Sequence, residues 1–294
     1  MSDSSSLYYR FFEYVFKINA GAFSIGSVFV DYIVSGEKER IDFTVDVSAC
    51  DKLPAVGSGS GKFPITGGFL SYSEDIIRIE ALNKDFFIRR TGAKFRVYIP
   101  ENYGLKNIPQ ILLEIVFLSG LRDKGLIPLH ASAVRLERNI IFAGKTGSGK
   151  STLAYSICRI GGEALADDRV YIFNQDDKTL VRSNSAKILL RNDTNGETTG
   201  KTVYESGSSP IMDETFIPEL LIFPEFSSVE HPVVEAANPA DTVMRLAPLT
   251  LPPVSKKDLI PVYDLARRCP AFVLSIPRNK DKLDEVMEII QNIK

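Results

Sequence analysis

The chain has 294 residues, of which 44% are hydrophobic and 24% are charged, and its formal net charge at pH 7 is −2. This length allows one large domain or two ordinary domains, and the composition is that of a globular protein. The near-neutral charge argues against nucleic acid or an anionic membrane as a partner. The sequence has no run of about 18 apolar residues, which a membrane-spanning helix would need.

Cysteine usage and the first residues favour a reducing, cytoplasmic location. Cys50, Cys158 and Cys269 are widely separated and only two histidines are present, so neither a disulfide scaffold nor a zinc site is expected. The first six residues, MSDSSS, lack the basic stretch and the apolar core of a signal peptide.

The N-terminal third is predicted to consist mostly of β-strands. Short runs rich in Phe, Ile, Val and Tyr alternate there with Gly, Asn, Asp and Lys. The predicted strands cover residues 11–18, 41–47, 76–81, 85–90 and 94–99. We therefore expect a β-rich N-terminal domain, residues 1–105, that contributes to recognition of an acceptor.

A glycine-rich run at residues 56–63 resembles a phosphate loop only superficially. Val56 occupies the position of the first fixed glycine, and Phe63 occupies that of the Ser or Thr. Pro64 follows directly, so a regular helix cannot continue from Lys62. We interpret this run as a flexible loop.

The remainder, residues 106–294, is predicted to be an α/β nucleotide-binding core. Apolar residues recur every three or four positions between residues 107 and 124, which predicts an amphipathic helix. An apolar strand at 139–143 leads into a glycine loop, and a helix at 152–160 follows it. Further strands are predicted at 165–172 and 272–276, and further helices at 255–268 and 281–293. Prolines cluster between residues 224 and 261, which favours loops there.

The glycine loop, GKTGSGKS at residues 144–151, matches the Walker A pattern GxxxxGK[ST] at each fixed position. Glycines let the backbone wrap the phosphates closely, and the loop N–H groups then face the anionic oxygens. We expect Lys150 to contact the β- and γ-phosphates of ATP and Ser151 to bind Mg²⁺. The predicted nucleotide-binding residues are Gly144, Lys145, Thr146, Gly147, Ser148, Gly149, Lys150, Ser151 and Thr152.

Features around the loop narrow the class of protein. The Leu-Ser-Gly-Gly-Gln signature of transporter ATPases is absent, and so is the Asn-Lys-x-Asp motif that would support GTP selectivity. His130 in the run LHASAV, the phosphate loop, and the pair Asp167-Asp168 occur in this order. The arrangement resembles the catalytic domain of HPr kinase/phosphorylase, a bacterial serine kinase with a core similar to that of phosphoenolpyruvate carboxykinase. Residues 265–278 also resemble the end of short proteins related to that kinase.

The resemblance covers about residues 107 to 294 and implies roles for individual residues. Asp168 corresponds to the base that accepts the proton of the target hydroxyl, and Asp167 to a carboxylate near the magnesium. His130 corresponds to the active-site histidine. It either orients Asp168 or donates to a phosphate oxygen, and the sequence does not separate these roles.

One element of the family pattern is missing. The Glu-Ile-Arg-Gly-Leu-Gly signature, which carries a metal-binding glutamate, is absent, and we assign no replacement for it, Asp193 included. Because the signature is tied to recognition of HPr and to reverse phosphorolysis, its absence points to another acceptor.

We therefore expect an ATP-dependent serine kinase that acts on a peptide or protein. Short members of the family resemble kinases that modify ribosomally made precursor peptides, lasso peptide precursors among them, and this is the preferred substrate class. Two alternatives stay open: a kinase of free serine or another small hydroxylated metabolite, and a non-enzymatic nucleotide-sensing regulator. The Asp167-Asp168 pair favours an enzyme, because a sensor needs no base at the γ-phosphate. No oligomeric state is predicted.

Overall fold

A computed structural model defines two compact units, Met1–Lys124 and Gly125–Lys294, called here the N-terminal and C-terminal units. It describes residues 6–26, 32–34, 40–51, 62–65, 68–73, 75–81, 83–104, 107–183, 187–194, 197–205, 214–250, 256–278 and 282–293. The described residues form a mixed α/β protein with several sheets, which confirms the predicted α/β class. The assignment of a phosphate-loop nucleotide-binding core stays a prediction. None of their helices is long and apolar enough to cross a membrane.

The N-terminal unit consists of one eight-stranded sheet and a long helix. Its elements are β1 (Leu7–Phe11), β2 (Tyr14–Asn19), β3 (Phe43–Cys50), β4 (Lys62–Ile65), β5 (Gly68–Tyr72), β6 (Ile76–Ala81), β7 (Lys84–Thr91), β8 (Lys94–Pro100) and α1 (Gln110–Asp123). The strand order is β1-β2-β3-β8-β7-β6-β5-β4. The pairs β2–β3 and β3–β8 are parallel and the other pairs are antiparallel.

Helix α1 packs closely against aromatic side chains of the sheet. The Phe117 ring lies 4.5 Å from that of Phe11 and 5.0 Å from that of Phe16, measured between centroids. A Cβ at Gly120 would lie 2.6 Å from the Phe16 ring, so the helix approaches this closely only because residue 120 is glycine. Each fully buried large apolar side chain here stabilises the fold by about 1.5–3 kcal/mol.

Two expectations about this unit differ from the structure. The helix expected to open the nucleotide-binding domain belongs to the N-terminal unit, and the division falls after Lys124 rather than near residue 105. The apolar face of α1 predicted that this helix is buried, but periodicity does not say against which sheet it packs. The single strand predicted at 11–18 is wrong: β1 and β2 form a hairpin there, and Phe12 turns the chain with a φ of 58°. Because Phe rarely adopts that conformation, the residues around Phe12 do not indicate a turn.

The glycine-rich run at 56–63 lies largely outside the described residues, but its end is described. Lys62 begins strand β4, whereas the lysine of a phosphate loop begins a helix. We expect Lys62→Ala to leave the affinity for MgATP within about twofold, because no phosphate contact is lost. Titration calorimetry measures this. A tenfold loss, about 1.4 kcal/mol, would reveal a second phosphate site.

The C-terminal unit contains a six-stranded sheet, a four-stranded sheet and a hairpin. Its strands are β9 (Ile127–Leu129), β10 (Ala131–Arg135), β11 (Asn139–Ala143), β12 (Glu163–Ala166), β13 (Val170–Gln175), β14 (Lys178–Ser183), β15 (Lys187–Thr194), β16 (Glu197–Glu205), β17 (Glu214–Phe216), β18 (Leu220–Ser227), β19 (Val233–Ala237) and β20 (Ala271–Pro277). Its α-helices are α2 (Lys150–Arg159), α3 (Pro239–Leu246), α4 (Leu259–Arg268) and α5 (Leu283–Asn292). The sheet orders are β12-β10-β11-β18-β20-β19 and β17-β14-β13-β9, and β15 pairs with β16.

The topology of the six-stranded sheet gathers many strand ends at one edge. Strands β11, β18 and β20 are mutually parallel, and β10 runs antiparallel to both β11 and β12. The carboxyl ends of β11, β12, β18 and β20 therefore lie at the same edge as the amino end of β10. In open α/β sheets this is the edge at which ligands bind. We call it the carboxyl edge.

Strand β11 sits in the middle of this sheet and is buried on both faces. Ile140 and Phe142 belong to the cluster formed with α2 and α5, whereas Ile141 and Ala143 belong to the cluster on the opposite face. Successive side chains of a strand point to opposite faces, so one short apolar run serves both clusters. The loop that follows β11 therefore starts from a fixed point.

Candidate functional site

The glycine loop connects β11 to α2 at the carboxyl edge. Gly147 and Gly149 have φ values of +84° and +102°, in the left-handed region that other residues rarely adopt. A Cβ at Gly144 would lie 2.6 Å from Ser148 Oγ. The glycines are therefore needed for a tight turn that delivers the chain into the first turn of α2 at Lys150.

Lys150 folds its ammonium group back into the loop. Its side chain is buried, and the residue is 6% exposed. Nζ donates to the carbonyl oxygens of Gly144 at 2.7 Å and Lys145 at 3.1 Å, and it lies 3.1 Å from His130 Nε2. A positive charge is thus fixed at the N-terminus of a helix, where the backbone N–H groups also favour an anion.

His130 reaches the loop lysine because two strand pairings hold it beside Asp168. His130 links β9 to β10, and residues 167–169 link β12 to β13. Leu129 of β9 pairs with Val170 of β13, and Ala133 of β10 pairs with Ala166 of β12. Both connections between the two sheets therefore run side by side.

The contacts of His130 define its protonation state. Its Nδ1 lies 2.9 Å from the backbone oxygen of Asp168, and a carbonyl oxygen only accepts, so Nδ1 carries the hydrogen. Nε2 is then the acceptor for the Lys150 ammonium group. Burial, followed by the charge of Lys150, lowers the pKa of His130, and the Asp168 carbonyl and carboxylate act in the opposite direction. The imidazole is therefore neutral and connects Lys150 to the turn at Asp168.

The two neighbouring aspartates have different surroundings. Asp167 accepts hydrogen bonds from Ser151 Oγ at 2.8 Å and from Ser132 Oγ. Asp168 has a φ of 69°, which Asp tolerates better than most residues, and its side chain is 60% exposed. Its carboxylate lies 3.5 Å from His130 Nδ1. The Asp167 carboxylate thus lies beside the loop, and the Asp168 carboxylate is accessible to an incoming molecule.

The geometry brings the predicted site residues together at the carboxyl edge. His130, Lys150 and Asp168 form one connected group, and Ser151 and Asp167 form another beside it. Thr146 Oγ1 lies 3.4 Å from His130 Nε2, whereas Thr152 is exposed on α2. The catalytic, nucleotide-binding and metal-binding roles of these residues stay predictions.

The residues present fit magnesium-bound ATP. Among the described residues, no group of three or more His, Cys, Asp and Glu side chains could hold a metal ion by itself. Ser151 and Asp167 would instead supply part of a magnesium shell, which phosphate oxygens and water complete. Ser148 Oγ is buried in the loop and has no hydrogen-bond partner in the described part of the chain. Such a group is available to a phosphate oxygen. The side chain of Asp193 lies outside the described residues.

Ser132 is a site residue that sequence analysis missed. Its hydroxyl donates to Asp167, and its side chain is fully buried. A signal existed: Ser132 follows His130 by two positions, and such residues share one face of a strand. Ser132 fixes the Asp167 carboxylate from the strand side while Ser151 contacts it from the helix.

The neutral state of His130 predicts a pH dependence of stability. Its pKa in the folded protein lies below the value of about 6.5 expected in the unfolded chain. The associated stability is therefore fully present above about pH 6.5 and is lost as the pH falls through the folded pKa. Urea denaturation of the nucleotide-free protein at about pH 7.5 and about pH 5.5 should show this loss.

Substitution of each histidine separates this effect from general acid destabilisation. His130→Gln should reduce the difference in unfolding free energy between the two pH values. His231→Gln is the matched control, because His231 is the only other histidine and lies on the surface beside Glu285. Equal pH dependence in wild type and His130→Gln would contradict the assigned neutral state.

Comparison with known proteins finds similarity among solved structures. No protein-family model matches the chain, and no curated protein matches it. Among solved structures, the chain is similar to the HPr(Ser) kinase/phosphatase from Coxiella burnetii, with 14% sequence identity and a TM-score of 0.35. The match covers 56% of this chain and 88% of that one. At this identity and TM-score it transfers no activity or residue role.

Proposed function

We propose that the C-terminal unit binds MgATP at the glycine loop and transfers the γ-phosphate to a serine hydroxyl of a peptide or protein. The observation that carries the proposal is the position of Asp168. Its exposed carboxylate lies beside a neutral histidine that contacts the loop lysine. A protein that only senses a nucleotide does not need a base beside the γ-phosphate.

The chemistry requires a base and neutralisation of charge. Magnesium-bound ATP supplies the transferable phosphoryl group. Lys150 would stabilise negative charge on the phosphates, and Ser151 and Asp167 would help to hold the magnesium ion. The serine oxygen attacks the γ-phosphorus and ADP leaves. Asp168 accepts the proton that the serine hydroxyl loses. A positioned base of this kind contributes about 10²–10⁴-fold.

His130 is a positioning residue in this scheme. It donates to the backbone carbonyl of Asp168 rather than reaching the acceptor, so it holds the turn that presents the carboxylate. Its Nε2 accepts a hydrogen bond from Lys150, so His130 holds the loop lysine and the Asp168 turn in fixed relative positions.

The openness of Asp168 supports a large acceptor. A carboxylate that is 60% exposed at a sheet edge can meet a serine carried on a flexible peptide. Ribosomally made precursor peptides, lasso peptide precursors among them, are the acceptor class proposed. Incubation with labelled ATP, serine-containing peptides and free serine tests this directly. Phosphorylation of free serine alone would replace the peptide with a small metabolite, and no transfer to any acceptor would favour a sensor.

The N-terminal unit is proposed to recognise the acceptor, because it forms a separate compact body with its own sheet. A fragment that begins at Gly125 should, when circular dichroism shows it to be folded, retain MgATP binding and lose most peptide phosphorylation. MgATP affinity is the internal control for an intact C-terminal unit. A folded fragment that phosphorylates the same peptide at the full-length rate would show that the N-terminal unit is not needed.

A further inference from the structure

The carboxyl edge of the six-stranded sheet has two sides, and only one of them is used by the proposed chemistry. Strand β11, which leads into the glycine loop, lies between β10 on one side and β18 on the other. His130, Asp167 and Asp168 all lie over β10 and β12. The carboxyl ends of β18 and β20 lie at the same edge on the opposite side of the loop.

This division bears on the direction of a bound nucleotide. The direction rests on the proposed function, in which the γ-phosphate lies towards Asp168. With the phosphates in the loop, the nucleoside would extend away from Asp168, over the ends of β18 and β20.

An exposed aromatic side chain stands at the start of this path. Phe226 is 48% exposed, and its ring would contact a Cβ placed on Gly149 at 3.5 Å. It occupies the penultimate position of β18, where it pairs with Ile276 of β20. A large apolar ring left open beside a phosphate-binding turn is suited to stacking on a base.

The residues that directly follow Phe226 line an open cleft. Its volume is about 590 Å³, and its lining includes Ser227, Glu230, Pro277 and Arg278. Lys282 lines the cleft as well. The cleft thus combines two cationic side chains, an anionic side chain and an apolar proline, which suits a flat polar ring and its sugar.

We propose that Phe226 and this cleft bind the nucleoside of ATP. Phe226 stacks on the purine, and the Arg278 guanidinium contacts its face or edge, as planar arginine groups do. The affinity for ATP then has two separable contributions. The loop binds the phosphates, and Phe226 with the cleft binds the nucleoside.

The test compares MgATP with magnesium tripolyphosphate, which has phosphates but no nucleoside. Phe226→Ala and Arg278→Ala should each weaken MgATP binding at least about fivefold and leave tripolyphosphate binding unchanged. Tyr263→Ala and Arg159→Ala are matched controls. Tyr263 is 51% exposed on α4, and Arg159 is exposed at the far end of α2. Thermal unfolding should confirm that all four variants are folded.

Each contrary result has its own meaning. Loss of MgATP and tripolyphosphate affinity in equal measure would show that the variants damage the loop, which overturns the nucleoside site. Unchanged affinity for both ligands overturns it as well, and a loss of peptide phosphorylation alone would assign the cleft to the acceptor. Failure of the wild type to bind either ligand would contradict the proposed function itself and the nucleoside site with it.

Discussion

The Asp168→Asn variant is expected to lose at least about 10²-fold in phosphate transfer, or about 2.7 kcal/mol of transition-state stabilisation. The amide cannot accept the serine proton, but it nearly preserves the shape of the side chain. Asn also tolerates the left-handed backbone at residue 168. The hydrogen bond from His130 goes to the backbone oxygen, so it survives the substitution. MgATP affinity should therefore change little while turnover falls.

Labelled-ATP kinetics and calorimetry on the same preparations measure the two effects separately. Asp167→Asn is the matched control, since it makes the same chemical change in the adjacent residue. It should raise the magnesium concentration needed for activity, because a metal-side carboxylate is weakened. Near-normal phosphorylation by Asp168→Asn would remove this residue from the mechanism.

The Lys150→Ala variant is expected to lose turnover and to bind MgATP more weakly. The substitution removes the buried charge inside the loop and its hydrogen bonds to Gly144, Lys145 and His130. In the complex the substitution would also remove the charge-assisted contacts of Nζ with the β- and γ-phosphates. A loss of about 1.5–3 kcal/mol corresponds to at least about tenfold in affinity. Calorimetry with MgATP and peptide phosphorylation assays measure the two losses.

Two further variants separate the loss of the Lys150 charge from the loss of its buried side chain and from the loss of a surface lysine. Lys150→Met keeps the apolar stem and removes the charge, so it should show the same losses while filling more of the buried space. Lys178→Ala, at the exposed start of β14, should change neither binding nor turnover. Unchanged kinase activity in both Lys150 variants would contradict the assignment of the loop.

The sequence predicted the parts of the fold that carry local signals. The loop lies between β11 and α2 as its motif requires, and β20 and α5 occupy the expected segments. Helix α3 was missed because prolines around it suggested loops. Asn238 caps α3 and Pro239 begins it, and both are favourable at a helix start, so the signal was present but was read as a break.

Other features depend on packing that no local pattern records. Periodicity predicted that α1 is buried, but its assignment to the N-terminal sheet depends on Gly120 fitting against Phe16. In the site, the resemblance to HPr kinase/phosphorylase pointed to His130 and Asp168, whereas the tautomer of His130 depends on which atoms surround it. Asp168 adopts its left-handed backbone in the short connection between β12 and β13.

The double burial of β11 has a consequence for how tolerant this chain is to mutation. Ile140, Ile141, Phe142 and Ala143 are all almost fully inaccessible to solvent. Underpacking or overpacking at any of them would displace the anchor of the loop as well as weaken the core. A deep mutational scan scored on nucleotide binding should therefore find this strand as intolerant as the loop itself, although its side chains lie in the two cores rather than at the loop. Intolerance alone would not distinguish residues that bind a ligand from residues that only hold the binders in place.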